Sequence, residues 1–168
     1  MANLKTKYMG LELKNPIIAG ASNLTLDIEN LKKMEEAGAA AIVFKSLFEE
    51  QIQLENLEIH ELLTEYEERN AEMVTIFPGS IKKSNYPVLH IEKLKKAKEA
   101  VSIPVIASLN ALSEASWVEY AKEIEAAGVD GLELNFYTVP EKSAESVTDI
   151  EKKQLETFRK IRSAVKLP

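Results

Sequence analysis

The sequence predicts an α/β fold built from parallel (β/α) repeats, specifically the N-terminal half of a (β/α)8 TIM barrel. Three observations predict it. Short apolar segments alternate with longer amphipathic segments, glycine separates the two kinds twice, and polar side chains follow each apolar segment. A βαβα order implies a parallel sheet with right-handed crossovers. We therefore expect residues 1–168 to form a single (βα)4 half-barrel whose C-terminal half is absent.

The apolar segments indicate four strands. The run Pro16–Ala19 and the run Ala41–Phe44 are apolar almost throughout, which is typical of a sheet covered on both faces. Residues 105–108 and 131–135 are also predicted strands, because each segment is short and mainly apolar and follows a proline or a glycine that ends the preceding helix. The predicted strands lie near residues 16–21, 40–45, 105–108 and 131–135.

Two helices are predicted to end at glycine. One runs from Ile28 to Ala37 and stops at Gly38, and the other runs from Trp117 to Ala127 and stops at Gly128. Glycine reaches the left-handed conformation after a helix without steric cost from a Cβ atom. In both places an apolar strand follows the stop, so the same helix-to-strand junction occurs twice.

The acidic character of the chain is local. Its net charge is -6, yet eight glutamates and one arginine lie between Glu49 and Arg69, so the remaining residues carry about +1. We interpret this run as a solvated helix inside an acidic insertion at about 47–85. No basic stripe is present, which argues against nucleic-acid and anionic-membrane partners.

Composition excludes several classes of protein. The chain has no cysteine and 45% hydrophobic residues, which excludes thiolate chemistry, a disulfide-stapled module and a disordered chain. No apolar run approaches the roughly 20 residues of a membrane helix, and the N-terminus lacks a signal-peptide core. We expect a cytoplasmic protein that binds a small-molecule substrate and no metal.

Polar residues at the strand ends favour a barrel over a doubly wound open sheet. No Gly-x-Gly-x-x-Gly follows the first strand, so a dinucleotide-binding sheet is disfavoured. The carboxyl ends of the strands form the active face of a barrel. The residues predicted to lie there are Ser22, Lys45, Ser46, Ser108, Asn110 and Asn135.

Lys45 is the most informative of these residues. A lysine that closes an apolar strand is costly to bury unless its ammonium meets an anion or a polar pocket. Three interpretations stay open: a side chain that reaches solvent, a cation that faces a bound cofactor or substrate, and a Schiff-base lysine.

The amides of Asn110 and Asn135 suit recognition of a planar heterocycle, although either could equally cap a loop. Ser22 and Ser46 carry less information individually. His60 and His90 are predicted to have plain surface or helix N-terminal roles. Trp117 is expected to pack between elements.

The strand ends together resemble the dihydroorotate dehydrogenase family, in its dihydroorotate dehydrogenase-like branch. Leu11–Ser22 is similar to the family's opening strand, which leads to small residues under the flavin, and Phe44–Ser46 is similar to its second strand. Pro104–Asn110 resembles the third strand and Ala127–Asn135 the fourth. The four motifs occur in the family's order across nearly the whole chain.

This resemblance implies an FMN-dependent oxidoreductase that oxidises dihydroorotate or a related substrate by hydride transfer to the flavin. It implies cofactor contacts from Ala21, Ser22, Lys45, Ser46, Asn110 and Asn135, with catalytic roles for Lys45 and Asn135. The family usually places a cysteine or serine base shortly after its fourth-strand asparagine. Here Phe136–Pro140 contains neither, and Thr138 is the nearest hydroxyl.

The resemblance also implies that the flavin phosphate docks on the last two βα units, which would lie in the missing half. We therefore expect the longer protein to be the dehydrogenase and this chain alone to be inactive. Two alternatives are a non-catalytic half-barrel and a Schiff-base barrel lyase using Lys45. The half-barrel formed by this chain would leave its first and fourth strands as open sheet edges, which predicts a homodimer or a higher oligomer.

Overall fold

The computed structural model describes residues 2–69, 85–137 and 146–168. In chain order its strands are β1 (Thr6–Tyr8), β2 (Leu11–Leu13), β3 (Ile18–Ala19), β4 (Ala41–Val43), β5 (Leu47–Phe48), β6 (Val105–Asn110) and β7 (Gly131–Leu134). Its helices are α1 (Ile28–Glu36), α2 (Glu49–Arg69), α3 (Tyr86–Ala100), α4 (Glu114–Ala126) and α5 (Val147–Ala164). The predicted α/β class with parallel strands is confirmed.

The parallel sheet follows the order of the chain. β3 pairs with β4, β4 and then β5 pair with one edge of β6, and β7 pairs with the other edge of β6. Every one of these pairings is parallel. Among the described strands the order never reverses, so this part of the chain has no switch point of the kind that divides a doubly wound sheet.

The two predicted helix stops are present at the expected glycines. Gly38 has φ +103° and Gly128 has φ +79°, the left-handed conformation that glycine adopts freely. The helix predicted from Trp117 begins earlier, at Glu114, because the Ser113 hydroxyl accepts a hydrogen bond from the Ser116 N–H and caps it.

An antiparallel hairpin of β1 and β2 precedes the parallel sheet. Met9 and Gly10 form its turn with φ of 51° and 80°, the two positive values that match a type I′ turn. The sequence analysis did not predict this hairpin. Its strands have three residues each, which is too short for an alternation pattern to be read.

The sheet has two different faces. One face packs on the helices through a core that includes Ile42, Phe44, Val105, Leu109 and Leu132. We call the opposite side the inner face. Its apolar part contains Ala41, Val43 and Ile106, and the hairpin residue Leu13 packs on them. Ala41 begins β4 and Ile106 is the second residue of β6, so the hairpin covers the amino-terminal part of the inner face.

The burial of two side chains, His90 and Glu49, differs from the sequence prediction, and the packing of a third, Trp117, agrees with it. His90 is only 4% exposed, so the predicted surface role is wrong: it lies against Phe44 and Tyr86 on the helix side of the sheet. Glu49 is 8% exposed and therefore not part of a solvated face. Trp117 packs as predicted, with its ring centroid 4.8 Å from that of Phe136.

The outer edge of β7 carries one further contact. The Leu132 N–H donates to the Pro168 carbonyl oxygen at 3.0 Å, as the Ile42 N–H donates to the Pro104 carbonyl at 3.0 Å where β4 meets β6. Beside this edge, α5 exposes Val147, Leu155 and Phe158. None of the helices in the described ranges is both long enough and apolar enough to cross a membrane.

Candidate functional site

Five polar side chains meet at the carboxyl ends of the parallel strands. Ser108 and Asn110 belong to β6, and Glu133 belongs to β7. Asn135 is the first residue after β7, and Ser46 lies between β4 and β5. Residues two apart on a strand share a face, so Ser108, Asn110 and Glu133 continue the face on which Ile106 and Gly131 lie. We call these five residues the strand-end cluster.

The hydroxyl groups of the cluster point towards one carboxylate. The Ser108 hydroxyl donates to Glu133 Oε1 at 2.8 Å, and the Ser46 and Ser108 oxygens lie 2.7 Å apart. An ionised carboxylate only accepts hydrogen bonds, and a hydroxyl has one proton to donate. Since Ser108 gives its proton to Glu133, Ser46 must donate to Ser108. Both serines are nearly completely buried.

The two amides of the cluster have different roles. Asn110 is 2% exposed and its Nδ2 donates to the Asn135 carbonyl oxygen at 2.6 Å, so it holds the backbone at the end of β7. The Asn135 side chain is exposed, and its Nδ2 makes only long contacts of 3.4 Å to Ser108 Oγ and 3.5 Å to Glu133 Oε1. Asn135 therefore keeps a donor available for a ligand.

Lys45 precedes the cluster residue Ser46, but its side chain makes no hydrogen bond or ion pair with any described residue. Its backbone hydrogen-bonds the imidazole of His90, and its charge is one cause of the unusual ionisation of that ring. Burial, followed by the charges of Lys45 and Lys93, lowers the pKa of His90 from 6.5 to about 4. His90 is therefore neutral at pH 7.

The structure brings together some of the predicted site residues and not others. Ser46, Asn110 and Asn135 meet in the strand-end cluster. Ala21 and Ser22 follow β3 and are exposed, and the Ser22 carbonyl accepts from Thr25 instead of contacting the cluster. Thr138 lies outside the described residues, as does the side chain of His60.

Glu133 is the site residue that the sequence analysis missed, although a signal for it was present. In the β7 sequence Gly131–Leu134 it is the one charged residue, and it stands two positions before Asn135. A period of two places both side chains on one face of a strand. Reading the strand by its alternation would have paired this carboxylate with the predicted amide.

A second carboxylate, that of Glu49, is buried on the helix side of the same strand ends. Glu49 Oε2 accepts from the backbone N–H groups of Leu112 at 2.6 Å and Ser113 at 3.4 Å. Its Oε1 accepts from the Ser116 hydroxyl at 2.7 Å and from Gln53 at 3.5 Å. Glu49 thus ties the start of α2 to the start of α4 and fixes the loop that follows Asn110.

A polar network at the opposite, amino-terminal ends of the strands is structural in character. Lys98 contacts both oxygens of Asp130, at 2.9 and 2.6 Å, and Asp130 Oδ2 also accepts from the Val105 N–H at 2.8 Å. These groups join α3, β6 and the loop before β7. Every oxygen has a donor, so none is left for a ligand.

A cavity of about 410 Å³ lies on the helix side, between α4 and α5. Trp117, Phe136 and Tyr137 form its apolar wall, and Glu114, Lys153 and Glu156 contribute charged groups. It does not include the strand-end cluster. Within the described ranges, no group of three or more histidine, aspartate or glutamate side chains is arranged to hold a metal ion.

Comparison with known proteins does not add to this geometry. No protein-family model matches the chain, and no curated protein matches it either.

Proposed function

We propose that this chain supplies the first four βα units of a (β/α)8 barrel and half of the site of an FMN-dependent oxidoreductase that resembles dihydroorotate dehydrogenase. The substrate would be dihydroorotate or a related compound. The observation that carries the proposal is the strand-end cluster: hydroxyl, amide and carboxylate groups converge at the carboxyl ends of adjacent parallel strands, which is where barrels bind their ligands.

The topology supports the barrel part of this proposal. Four successive parallel strand positions are adjacent in chain order, and the helices that connect them pack on one face. The β1–β2 hairpin covers the amino-terminal part of the other face, as the floor of a barrel interior requires. The Pro168 carbonyl bonds β7 as Pro104 bonds β4, which is the position from which a fifth parallel strand would start.

The chemistry of the donor set fits a flavin. The isoalloxazine ring is flat and apolar, and one edge carries an N–H group and carbonyl oxygens. The exposed Asn135 amide offers both a donor and an acceptor to such an edge, and Lys45 offers a cation without a described partner. Ser22, whose hydroxyl does not cap the following helix, would also lie at this end of the sheet. When bound, the flavin would supply a hydride acceptor.

An FMN titration tests the proposal. We expect the chain to quench the fluorescence of FMN and to shift its visible absorbance, and we expect Asn135→Ala to weaken both effects. The matched control is Asn3→Ala, which removes an exposed amide from the N-terminal segment. Because the phosphate site is expected on later βα units, riboflavin should bind this chain as well as FMN does. Unchanged absorbance and fluorescence over the whole titration would refute the proposal.

Self-association is a second candidate, and the exposed side chains beside the β7 edge favour it. Val147, Leu155 and Phe158 leave an apolar strip on α5, and among the described residues only Pro168 is seen to hydrogen-bond the outer edge of β7. A second copy would cover this strip and this edge and complete the inner face. In that case the FMN affinity rises with protein concentration, which the same titration measures when it is repeated at several concentrations.

A further inference from the structure

We infer that Glu133 is the proton acceptor of this site and that the Asn135 amide binds the oxygen on which negative charge develops. The substrate class is a carbonyl compound with a C–H bond next to the carbonyl group. The inference rests on the proposed function, because it names the group that removes the proton in that oxidation. It concerns two residues of this chain and needs no cofactor.

The first support is the geometry of the carboxylate. Glu133 Oε1 accepts from the Ser108 hydroxyl at 2.8 Å, whereas Oε2 has no hydrogen bond from any described residue. The side chain is only partly buried, while Ser108 and Ser46 below it are buried. One oxygen is therefore held from beneath, and the other keeps its lone pairs free of hydrogen bonds within the described ranges.

The second support is the direction of the hydroxyl protons. Ser46 donates to Ser108 and Ser108 donates to Glu133, so every polar hydrogen of this chain of bonds points at Oε1. The arrangement fixes the rotamer of the carboxylate before a ligand arrives. Ser46 and Ser108 are thus positioning residues, and the lone pairs of Oε2 are left to accept a proton.

The third support is the elimination of other bases in the described part of the chain. His90 is neutral at pH 7 and could accept a proton, but it is buried against Phe44 on the helix side of the sheet. The serine hydroxyls already donate towards Glu133. Lys45 is the nearest cation in sequence to the cluster, and Asn135 does not titrate. Glu133 is the carboxylate that the described residues place on the inner face at the strand ends.

The step itself involves one proton. The C–H bond next to the carbonyl breaks, the proton forms an O–H bond with Glu133 Oε2, and the electron pair moves onto the carbonyl oxygen as an enolate. Asn135 Nδ2, which lies 3.5 Å from the carboxylate, donates a hydrogen bond to that oxygen. The reverse step returns a proton from Glu133 to carbon, so no oxidant is consumed.

Exchange of this C–H hydrogen with D2O tests the inference, with dihydroorotate as the probe and proton NMR as the measurement. We expect the wild-type chain to accelerate exchange over buffer. Glu133→Gln should lower the excess rate on the order of 100-fold, which is the usual contribution of a general base. Glu133→Asp keeps a carboxylate and should retain part of the rate. The control Glu92→Gln, at an exposed position of α3, should exchange like wild type.

Two results would overturn the inference: a Glu133→Gln rate equal to that of the wild type, or a wild-type rate equal to that of buffer. Circular dichroism of each variant establishes that the fold is retained, and FMN binding is measured on the same samples. FMN binding together with unaltered exchange in Glu133→Gln would refute the role of Glu133 alone. Exchange that depends on Glu133 in a chain that does not bind FMN would refute the flavin proposal and would still support the role of Glu133 as proton acceptor.

Discussion

Two glutamates stand at the same end of the sheet, one on each side of it, and their surroundings differ. Glu49, on the helix side, accepts four hydrogen bonds that use both of its carboxylate oxygens. Glu133, on the inner face, accepts one short hydrogen bond at 2.8 Å through Oε1 alone. Both carboxylate oxygens of Glu49 therefore accept hydrogen bonds from the fold. Glu133 is held through Oε1, and its Oε2 accepts no hydrogen bond from the described residues.

The difference separates a structural carboxylate from a functional one. A buried carboxylate with a full set of donors stabilises the elements that it joins, and removing it leaves those donors without partners. A carboxylate supported from one side can bind or take a proton on the other. Substitutions at Glu49 should therefore change stability, whereas substitutions around Glu133 should change ligand chemistry more than stability.

The largest effect on stability is expected for Glu49→Ala. The backbone N–H groups of Leu112 and Ser113 and the hydroxyl of Ser116 lose their acceptor in a partly buried region. We expect the free energy of unfolding to fall by about 3 to 4 kcal/mol, measured by denaturant unfolding. Glu50→Ala, at the exposed neighbouring position of α2, should change it little. Equal losses in the two variants would mean that Glu49 has no special structural role.

The next effect belongs to His90, which also lies on the helix side. Burial lowers the pKa of His90 from 6.5 to about 4 in the folded chain. Between these pH values the unfolded chain binds the extra proton, so the stabilising contribution is complete above pH 6.5 and is lost as the pH falls towards 4. The shift corresponds to at most about 3 kcal/mol.

His90→Leu removes this titration and keeps an apolar side chain against Phe44. We expect wild type to lose unfolding free energy relative to His90→Leu as the pH is lowered from 7 to 4. Other acidic groups titrate in both proteins and cancel in the difference. Lys45 and Lys93 are the charged groups that act on the ring. A difference that is independent of pH would contradict the prediction.

Local patterns in the sequence predicted the parallel framework. Gly38 and Gly128 mark helix ends because the conformation there needs a residue without a Cβ atom, and the apolar runs that follow them form β4 and β7. The β1–β2 hairpin could not be predicted in this way. Its strands are short, and its turn uses Met9 at a positive φ, where glycine or asparagine is the usual signal.

The candidate site was predicted in part for a related reason. Asn110 and Asn135 follow apolar strands, so their position at the sheet end could be read from the chain. The partners of Ser46 could not, because Ser108 is 62 residues away and the contact depends on which strands pair. The burial of Glu49 could not be predicted either, because its partners at the start of α4 are more than 60 residues away and come close only when the chain folds.

The smallest effect on stability, and the sharpest comparison of the two glutamates, is expected from two serines. Ser108 donates to Glu133 at 2.8 Å and Ser116 donates to Glu49 at 2.7 Å, so the two alanine substitutions each remove one hydroxyl that bonds a carboxylate. Each should lower the free energy of unfolding by about 1 kcal/mol. Glu49 keeps three further donors after Ser116→Ala, whereas Glu133 keeps only the long contact from Asn135 after Ser108→Ala.

Hydrogen exchange of dihydroorotate in D2O then distinguishes the two variants. Ser108→Ala frees the Glu133 side chain to leave its rotamer, so the exchange rate should fall, although less than in Glu133→Gln, because the carboxylate itself remains. Ser116→Ala should exchange like wild type, since the donors that remain keep Glu49 and the start of α4 in place. If Ser116→Ala slows exchange as much as Ser108→Ala does, the loss reflects a general loosening of the strand ends. The serine beneath Glu133 would then have no positioning role of its own.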